Sequence, residues 1–224
     1  MPEIIRLSHL APVTNITSDG DAREMCYRKR MFDRVWIFRR GRTTVFRKHL
    51  NRSLERFCSP LGAKTVLNLG AKPNAADKEG RTYEDYFPGA DFKTLDLTPN
   101  EDPRHIHGDL MKLPEGMGAY DLVIANSVIE HIDRPWIAAP NITGLVRPGG
   151  HLFICMPWFY PVHEGPSFGD HWRATPSGMR FLFDEMTEVR HEFAPSSILA
   201  VADRKKYWND PNSTASGFCM LMRR

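Results

Sequence analysis

From about residue 64 the chain alternates short apolar runs with polar or helical stretches, the pattern of a doubly wound, mostly parallel sheet. Four runs read as strands: 65–69, closing at Gly70, then 92–97, 120–125 and 151–156. They are nearly continuous in apolar residues, which suits strands buried on both faces. A weaker strand is expected at 104–107, just before Gly108 and Asp109. Between 125 and 151, Asp133 reads as a helix cap with Pro135 in the first turn. That helix runs to Arg147-Pro148-Gly149-Gly150, a stop followed by a tight turn. Thr175-Pro176 opens another helix that extends to about Met186. Two late β-like stretches, at 189–193 or 197–201 and at 217–222, predict an antiparallel hairpin closing the sheet edge, with the last strand in the interior. The expected fold is therefore α/β with seven strands.

Before residue 60 the pattern changes. Met31, Phe32, Val35, Trp36, Phe38, Val45, Phe46 and Leu50 interleave with the basic runs Arg28-Lys29-Arg30, Arg39-Arg40-Gly41-Arg42 and Arg47-Lys48, as in a helix or two laid on a core with charges outward. Residues 1–60 are expected to form a helical extension packed on a main domain of 61–224, with a lid insertion at about 157–174. Lys and Arg outnumber Asp and Glu by 30 to 27, and much of the excess sits in these early runs. A basic face could meet an anionic substrate, membrane phosphates or nucleic acid, but a solvated helix face explains it with less.

Hydrophobic residues at 42% and charged residues at 25% of 224 fit an ordinary soluble globular protein, and rule out a disordered or fibrous one. Cys26, Cys58, Cys155 and Cys219 are scattered, with no CxxC pair for zinc, and Cys155 and Cys219 lie in apolar runs that suit small core residues. No apolar stretch approaches the roughly 20 residues of a membrane span, and the N-terminus lacks the regions of a secretory signal. A cytoplasmic location is expected.

In a doubly wound sheet, ligands bind beyond the carboxyl ends of the strands where strand order reverses, so the polar residues there are the ones to read. Gly70 permits close backbone approach after the first strand, and the turn amides of Gly70 and Ala71 can receive a carboxylate or ribose. Asp96, 26 positions beyond Gly70, can accept two hydrogen bonds from a ribose diol. Asp109 can accept from an adenine amino group while Leu110 packs on the ring. This is an adenosine site by position. A dinucleotide is disfavoured because Ala71, Lys72 and Pro73 follow Gly70, so the glycines of GxGxxG are missing.

Together, Gly70 after a buried strand, Asp96, Gly108-Asp109-Leu110 followed by Leu113-Pro114, Tyr120-Asp121-Leu122-Val123 running to Ile129-Glu130-His131-Ile132, and Arg147-Pro148-Gly149-Gly150 before a strand resemble the class I S-adenosylmethionine-dependent methyltransferases, with their Rossmann-like sheet. His163 with Asp170-His171-Trp172-Arg173-Ala174-Thr175-Pro176-Ser177-Gly178 is similar to a small-molecule branch of the type 11 kind. The resemblance implies S-adenosylmethionine as cofactor. Asn68, Gly70 and Ala71 would line its methionine part, Asp96 would hold the ribose, Asp109 and Leu110 would meet the adenine, Asn126 and Ser127 would lie beside the sulfonium, and Leu97 would also contact the cofactor. The family's first motif usually carries an acidic residue and more glycines, where this chain has Asn68, Lys72 and Asn74.

Methyl transfer from a sulfonium is an in-line displacement, so the protein aligns the acceptor and, where needed, removes a proton. His131, His163 and His171 are the candidate bases. The loop after the fifth strand supplies acceptor contacts: Trp158, Tyr160 and Trp172, with Phe159 and Phe168, as walls, and Asp170 and Arg173 as polar groups. Arg173 could bind an anionic group or tie the loop to Asp170. No metal is expected, because Glu130, His131, His163, Glu164, Asp170 and His171 show no compact ligand spacing. The acceptor expected is a small polar molecule, sugar-linked or a secondary metabolite, methylated on O or N. A nucleic-acid methyltransferase is a rival, weakened by Asn126-Ser127-Val128-Ile129 where Asn-Pro-Pro-Tyr would stand. A scaffold that has lost the cofactor is another. The first 60 residues are either a substrate wall or a homodimer contact.

Overall fold

The apolar run of Tyr120–Asn126 shows how this sequence builds its core. Leu122 and Ile124 point into one hydrophobic cluster, while Val123 and Ala125 point into another on the opposite face. Leu152 and Ile154 alternate with Phe153 and Cys155 in the same way. A strand with both faces covered has no place for polar residues, hence the continuous apolar reading.

In the computed structural model, residues 4–5, 37–38, 44–195 and 215–224 are described. In chain order the elements are β1 (Ile4–Ile5), β2 (Ile37–Phe38), α1 (Val45–Cys58), β3 (Thr65–Leu69), β4 (Asp91–Asp96), β5 (His105–His107), β6 (Tyr120–Asn126), α2 (Pro135–Leu145), β7 (Val146–Pro157), α3 (Pro176–Leu182), β8 (Thr187–Phe193) and β9 (Gly217–Arg223). Short β1 and β2 pair antiparallel within a first compact unit, Met1–Arg42, and everything from Thr43 onward forms a second. The basic runs at 28–30 and 39–42, Cys26 and the alternative strand at 197–201 lie outside the described residues. Among those described, no helix is long and apolar enough to cross a membrane.

The second unit is a seven-stranded sheet in the order β5-β4-β3-β6-β7-β9-β8. The first five are parallel, whereas β9 runs antiparallel to both β7 and β8. The last strand therefore sits inside, as the sequence predicts. Helix α1 covers one face through Phe46, Leu50, Leu54 and Phe57. Helix α2 covers the other through Ala138, Ala139, Ile142 and Leu145. Cys155 and Cys219 face each other across β7 and β9 in the core, with sulfurs 3.2 Å apart.

Three local expectations change. Pro148, Gly149 and Gly150 do not form a turn before the strand. Strand β7 already begins at Val146, pairing with Tyr120, and the next pairing is Leu122 with His151, so the extra residues form a bulge. A Cβ on Gly150 would lie 3.0 Å from the carbonyl oxygens of Tyr120, Asp121 and Arg147, so a larger residue would push the bulge outward by a few tenths of an ångström. Asp133 does not cap α2, which starts from Arg134 without a side-chain cap. Asp133 instead lies 3.5 Å from Arg134 Nε. Thr175 does cap α3, accepting from Gly178 N at 3.0 Å, but the helix ends at Leu182 because the buried Phe183 and Met186 turn the chain into β8.

Asp121 clamps the other end of the sheet. Its Oδ2 accepts from the amides of Lys64 and Thr65 at 2.6 and 3.1 Å, and Arg147 Nη1 lies 2.5 Å from Oδ1. Burial opposes the charge, yet these donors together hold the carboxyl below its ordinary value. Asp121→Ala is expected to lower stability by about 2 kcal/mol, since it leaves two amides without their acceptor. The lowered value means that this contribution is present above the unfolded carboxyl value of about 4 and is lost as pH falls through the folded one. Urea unfolding at neutral pH and at successively lower pH should show the gap between variant and parent narrowing as the carboxyl is protonated; a constant gap would dissociate the effect from ionisation.

Candidate active site

Five parallel strands direct their carboxyl ends to one side, and strand order reverses between β4 and β6 around β3. A cavity of about 700 Å³ opens there. Gly70 closes β3 at φ +63°, its amide donating to Leu95 O at 2.7 Å, and a Cβ at this position would stand 2.8 Å from Val128 Cγ2. Asp96 ends β4 with Oδ1 accepting from Thr98 N at 2.7 Å. Leu97 lines the cavity while 63% exposed, an apolar surface waiting for a partner. Asp109 folds its own turn by accepting from Met111 N at 2.8 Å, and Asn141 Nδ2 holds Leu110 O at 2.9 Å. Ser127 has φ +55°, a conformation that costs free energy for any residue but glycine and tends to collect at sites of function.

Six of the nine residues expected at the cofactor share this cavity: Gly70, Asp96, Leu97, Asp109, Leu110 and Ser127. The other three stand apart from its lining. Asn68 is buried within β3, Ala71 lies beyond Gly70, and Asn126 donates to the Tyr83 hydroxyl at 2.9 Å. Sequence reasoning passed over Thr98, Met111 and Ser167, which also line it; short polar and apolar loop residues carry no motif that would single them out.

The loop after β7 is tied down at several points. His171 N and Trp172 N donate to Glu130 O at 2.8 and 3.3 Å, and Trp172 Nε1 donates to Ile132 O at 2.9 Å. Trp158, Tyr160, Asp170, Trp172 and Arg173, all expected at the acceptor, line a second cavity of about 500 Å³. His171 lines both cavities. The Asp170 side chain is fully buried and paired with Arg173 through both guanidinium nitrogens. Arg173 and the amide of His163 hold the Asp170 carboxyl well below the usual range, despite burial. Arg173 also donates to Trp172 O at 2.9 Å, so its guanidinium fastens the loop.

Beside the first cavity, Glu130 and His131 occupy a single helical turn, Ile129–His131, just after β6. The Glu130 side chain is 0% exposed, and neither of its oxygens accepts a hydrogen bond from another described residue. Burial pushes it up to about 8. Burial also lowers His131, whose Nδ1 contacts Gly169 O at 2.5 Å. His131 Nε2 and His163 Nε2 each lie 3.9 Å from Glu130 Oε1. The two rings meet edge-on, with centroids 4.9 Å apart. Of the expected bases, His131 thus faces the first cavity, His171 both, and His163 neither.

A family model described as a methyltransferase domain matches residues 85–154. A protein of Mycobacterium sp. (strain JLS) named as an uncharacterised methyltransferase is 27% identical over 114 residues, spanning 49% of this chain and 43% of that one. The hybrid synthetase cheA of Chaetomium globosum is 31% identical over 114 residues, spanning 51% of this chain and 2% of that one. This chain thus spans less than half the length of these curated relatives. The N-methyltransferase NodS from Bradyrhizobium japonicum WM9, solved with S-adenosyl-L-homocysteine, superposes with a TM-score of 0.55 at 15% identity over 80% of this chain and 87% of that one. The chain is therefore similar to methyltransferase domains over residues 85–154, and its second unit shares the fold of S-adenosylmethionine-dependent methyltransferases. Gly70→Ala is expected to weaken S-adenosylhomocysteine binding about tenfold or more. Left-handed backbone costs an alanine about 1–2 kcal/mol, and its Cβ would displace Val128 at the cavity wall. Calorimetric titration checks this, and unchanged affinity would contradict it.

Proposed function

We propose that this protein is a methyltransferase that binds S-adenosylmethionine in the cavity at Gly70, Asp96 and Asp109 and methylates an oxygen or nitrogen of a small polar acceptor held at Trp158, Tyr160, Asp170, Trp172 and Arg173. The observation that carries this reading is the convergence of Gly70, Asp96, Leu97, Asp109, Leu110 and Ser127 on one cavity at the reversal of strand order. The residues fit the ligand. Gly70 forms a cradle that a Cβ would fill, a carboxylate stands at Asp96 for a diol, and exposed Leu97 offers an apolar surface for a purine ring. Asn68, Ala71 and Asn126, which stand outside the lining, are not among the proposed contacts.

When bound, S-adenosylmethionine supplies an electrophilic methyl group on a sulfonium. The chain's own residues do the rest. Aromatic walls at Trp158, Tyr160 and Trp172 exclude water and orient the acceptor. His171, lining both cavities, is the residue to take the acceptor's proton when a hydroxyl reacts, and an amine acceptor needs no base until after transfer. Asp170 and Arg173 keep the loop in place. A soluble, cytoplasmic setting and a small-molecule biosynthetic role accompany this proposal.

Calorimetric titration with S-adenosylmethionine, S-adenosylhomocysteine and NAD tests the cofactor. The expected result is micromolar binding of both sulfur ligands and none of NAD. Incubation with S-adenosylmethionine and panels of sugar-linked and aromatic hydroxyl or amine compounds, followed by mass spectrometry, tests the acceptor. Binding of neither sulfur ligand would overturn the reading in favour of a scaffold.

A further inference from the structure

We propose that Glu130, His131 and His163 form a binding site for a first-row divalent transition cation of the Zn²⁺ type. One ligand atom from each residue lies within 4.8 Å of the others. Both imidazole Nε2 atoms stand 3.9 Å from the same oxygen, Glu130 Oε1. Metal legs of about 2.0–2.2 Å at tetrahedral angles put ligand atoms roughly 3.4 Å apart, so small side-chain movements close the set around an ion. Two neutral imidazoles and one carboxylate suit a borderline cation, and three protein ligands leave a position open to water or another oxygen.

The second observation is the carboxylate itself. The Glu130 side chain is fully buried, aimed between the two rings, and accepts no hydrogen bond from any other described residue through either oxygen. A buried carboxyl without partners is costly, and a cation is the partner these neighbours are arranged to admit. The far side of each ring points the same way. His131 Nδ1 is 2.5 Å from Gly169 O. His163 Nδ1 is 3.2 Å from Pro161 O and 3.1 Å from Asp170 Oδ2, and Asp170 is itself fixed by Arg173. An imidazole whose Nδ1–H is given to a carbonyl or carboxylate presents a lone pair at Nε2, the arrangement found behind metal-ligating histidines. Spacing along the chain hides the set, because Glu130 and His131 are adjacent but His163 arrives from the loop after β7. The inference does not depend on methyl transfer: an ion could bind in a chain that transfers nothing.

The test uses the full chain, stripped with a chelator and titrated calorimetrically with Zn²⁺ alone, and then with Co²⁺ for its visible absorption. One Zn²⁺ per chain is expected, weakened at least about 100-fold in both Glu130→Gln and His163→Ala and unchanged in His191→Ala. That last variant removes an exposed histidine 2.7 Å from Glu188, the kind of surface pair that collects metal adventitiously. The Co²⁺ band should vanish with the same two substitutions. Circular dichroism and S-adenosylhomocysteine titration report whether the variants fold. Absence of stoichiometric Zn²⁺ binding, equal binding by the parent and by folded Glu130→Gln or His163→Ala, or loss confined to His191→Ala would each overturn the site. Failure of S-adenosylhomocysteine to bind while Zn²⁺ binds would count against the cofactor reading alone.

Discussion

Arg173→Ala is expected to loosen the loop over the strand ends and to lower the stability of the protein by about 2–3 kcal/mol. The reason is asymmetry. The Asp170 side chain is fully buried, and Arg173 meets it with two nitrogens while reaching back to Trp172 O. Breaking a buried pair from one side costs roughly 3–5 kcal/mol, because the remaining charge is stranded. Arg173 is a quarter exposed, so water can enter when it is cut back, which brings the effect to or just below the bottom of that range. For a chain of this size that corresponds to a fall in melting temperature of roughly 5–10 °C. Asp170→Asn in the same chain should restore part of the loss, since no charge is then left behind. Hydrogen exchange should quicken at residues 158–174, while S-adenosylhomocysteine affinity changes by no more than a few fold. A melting temperature within about 1 °C of the parent would show that the pair fastens nothing.

Much of this fold is legible in the sequence because two-sided burial leaves little choice of residue. Leu122, Val123, Ile124 and Ala125 must all be apolar when both faces of β6 are packed, and the same holds around Phe153. What is not legible depends on contacts made at a distance. Pro148-Gly149-Gly150 has the composition of a turn, and only the closeness of Tyr120 and Asp121 turns it into a bulge. Asp133 has the chemistry of a cap, but its neighbour Arg134 takes the capping position. The same distinction runs through the site. Gly70, Asp96 and Asp109 can be located because topology fixes where strand ends lie, whereas the neighbourhood of Glu130 exists only after a loop some thirty residues later folds over it.

The second large effect concerns the cofactor. Asp96→Ala is expected to raise the dissociation constant for S-adenosylhomocysteine about 10- to 100-fold, with little change in stability. Only one of the two Asp96 oxygens has a described partner, Thr98 N, and the residue lines the cavity at the end of a strand that Leu95 already anchors in the core. Two hydrogen bonds from a diol to a carboxylate contribute about 1.5–3 kcal/mol each when fully desolvated, but water replaces part of this once the side chain is gone, leaving roughly 1.4–2.8 kcal/mol, or one to two decades in affinity. Asp96→Asn should lie between parent and alanine, since an amide keeps one acceptor and loses the charge. A uniform loss among ligands would mean that the site had merely been distorted. The discriminating measurement is therefore a pair of titrations, with S-adenosylhomocysteine and with its 2′,3′-dideoxy analogue. The analogue cannot use Asp96, so it should bind the parent and the variant with equal affinity; if it loses as much as the parent ligand does, Asp96 does not hold the ribose.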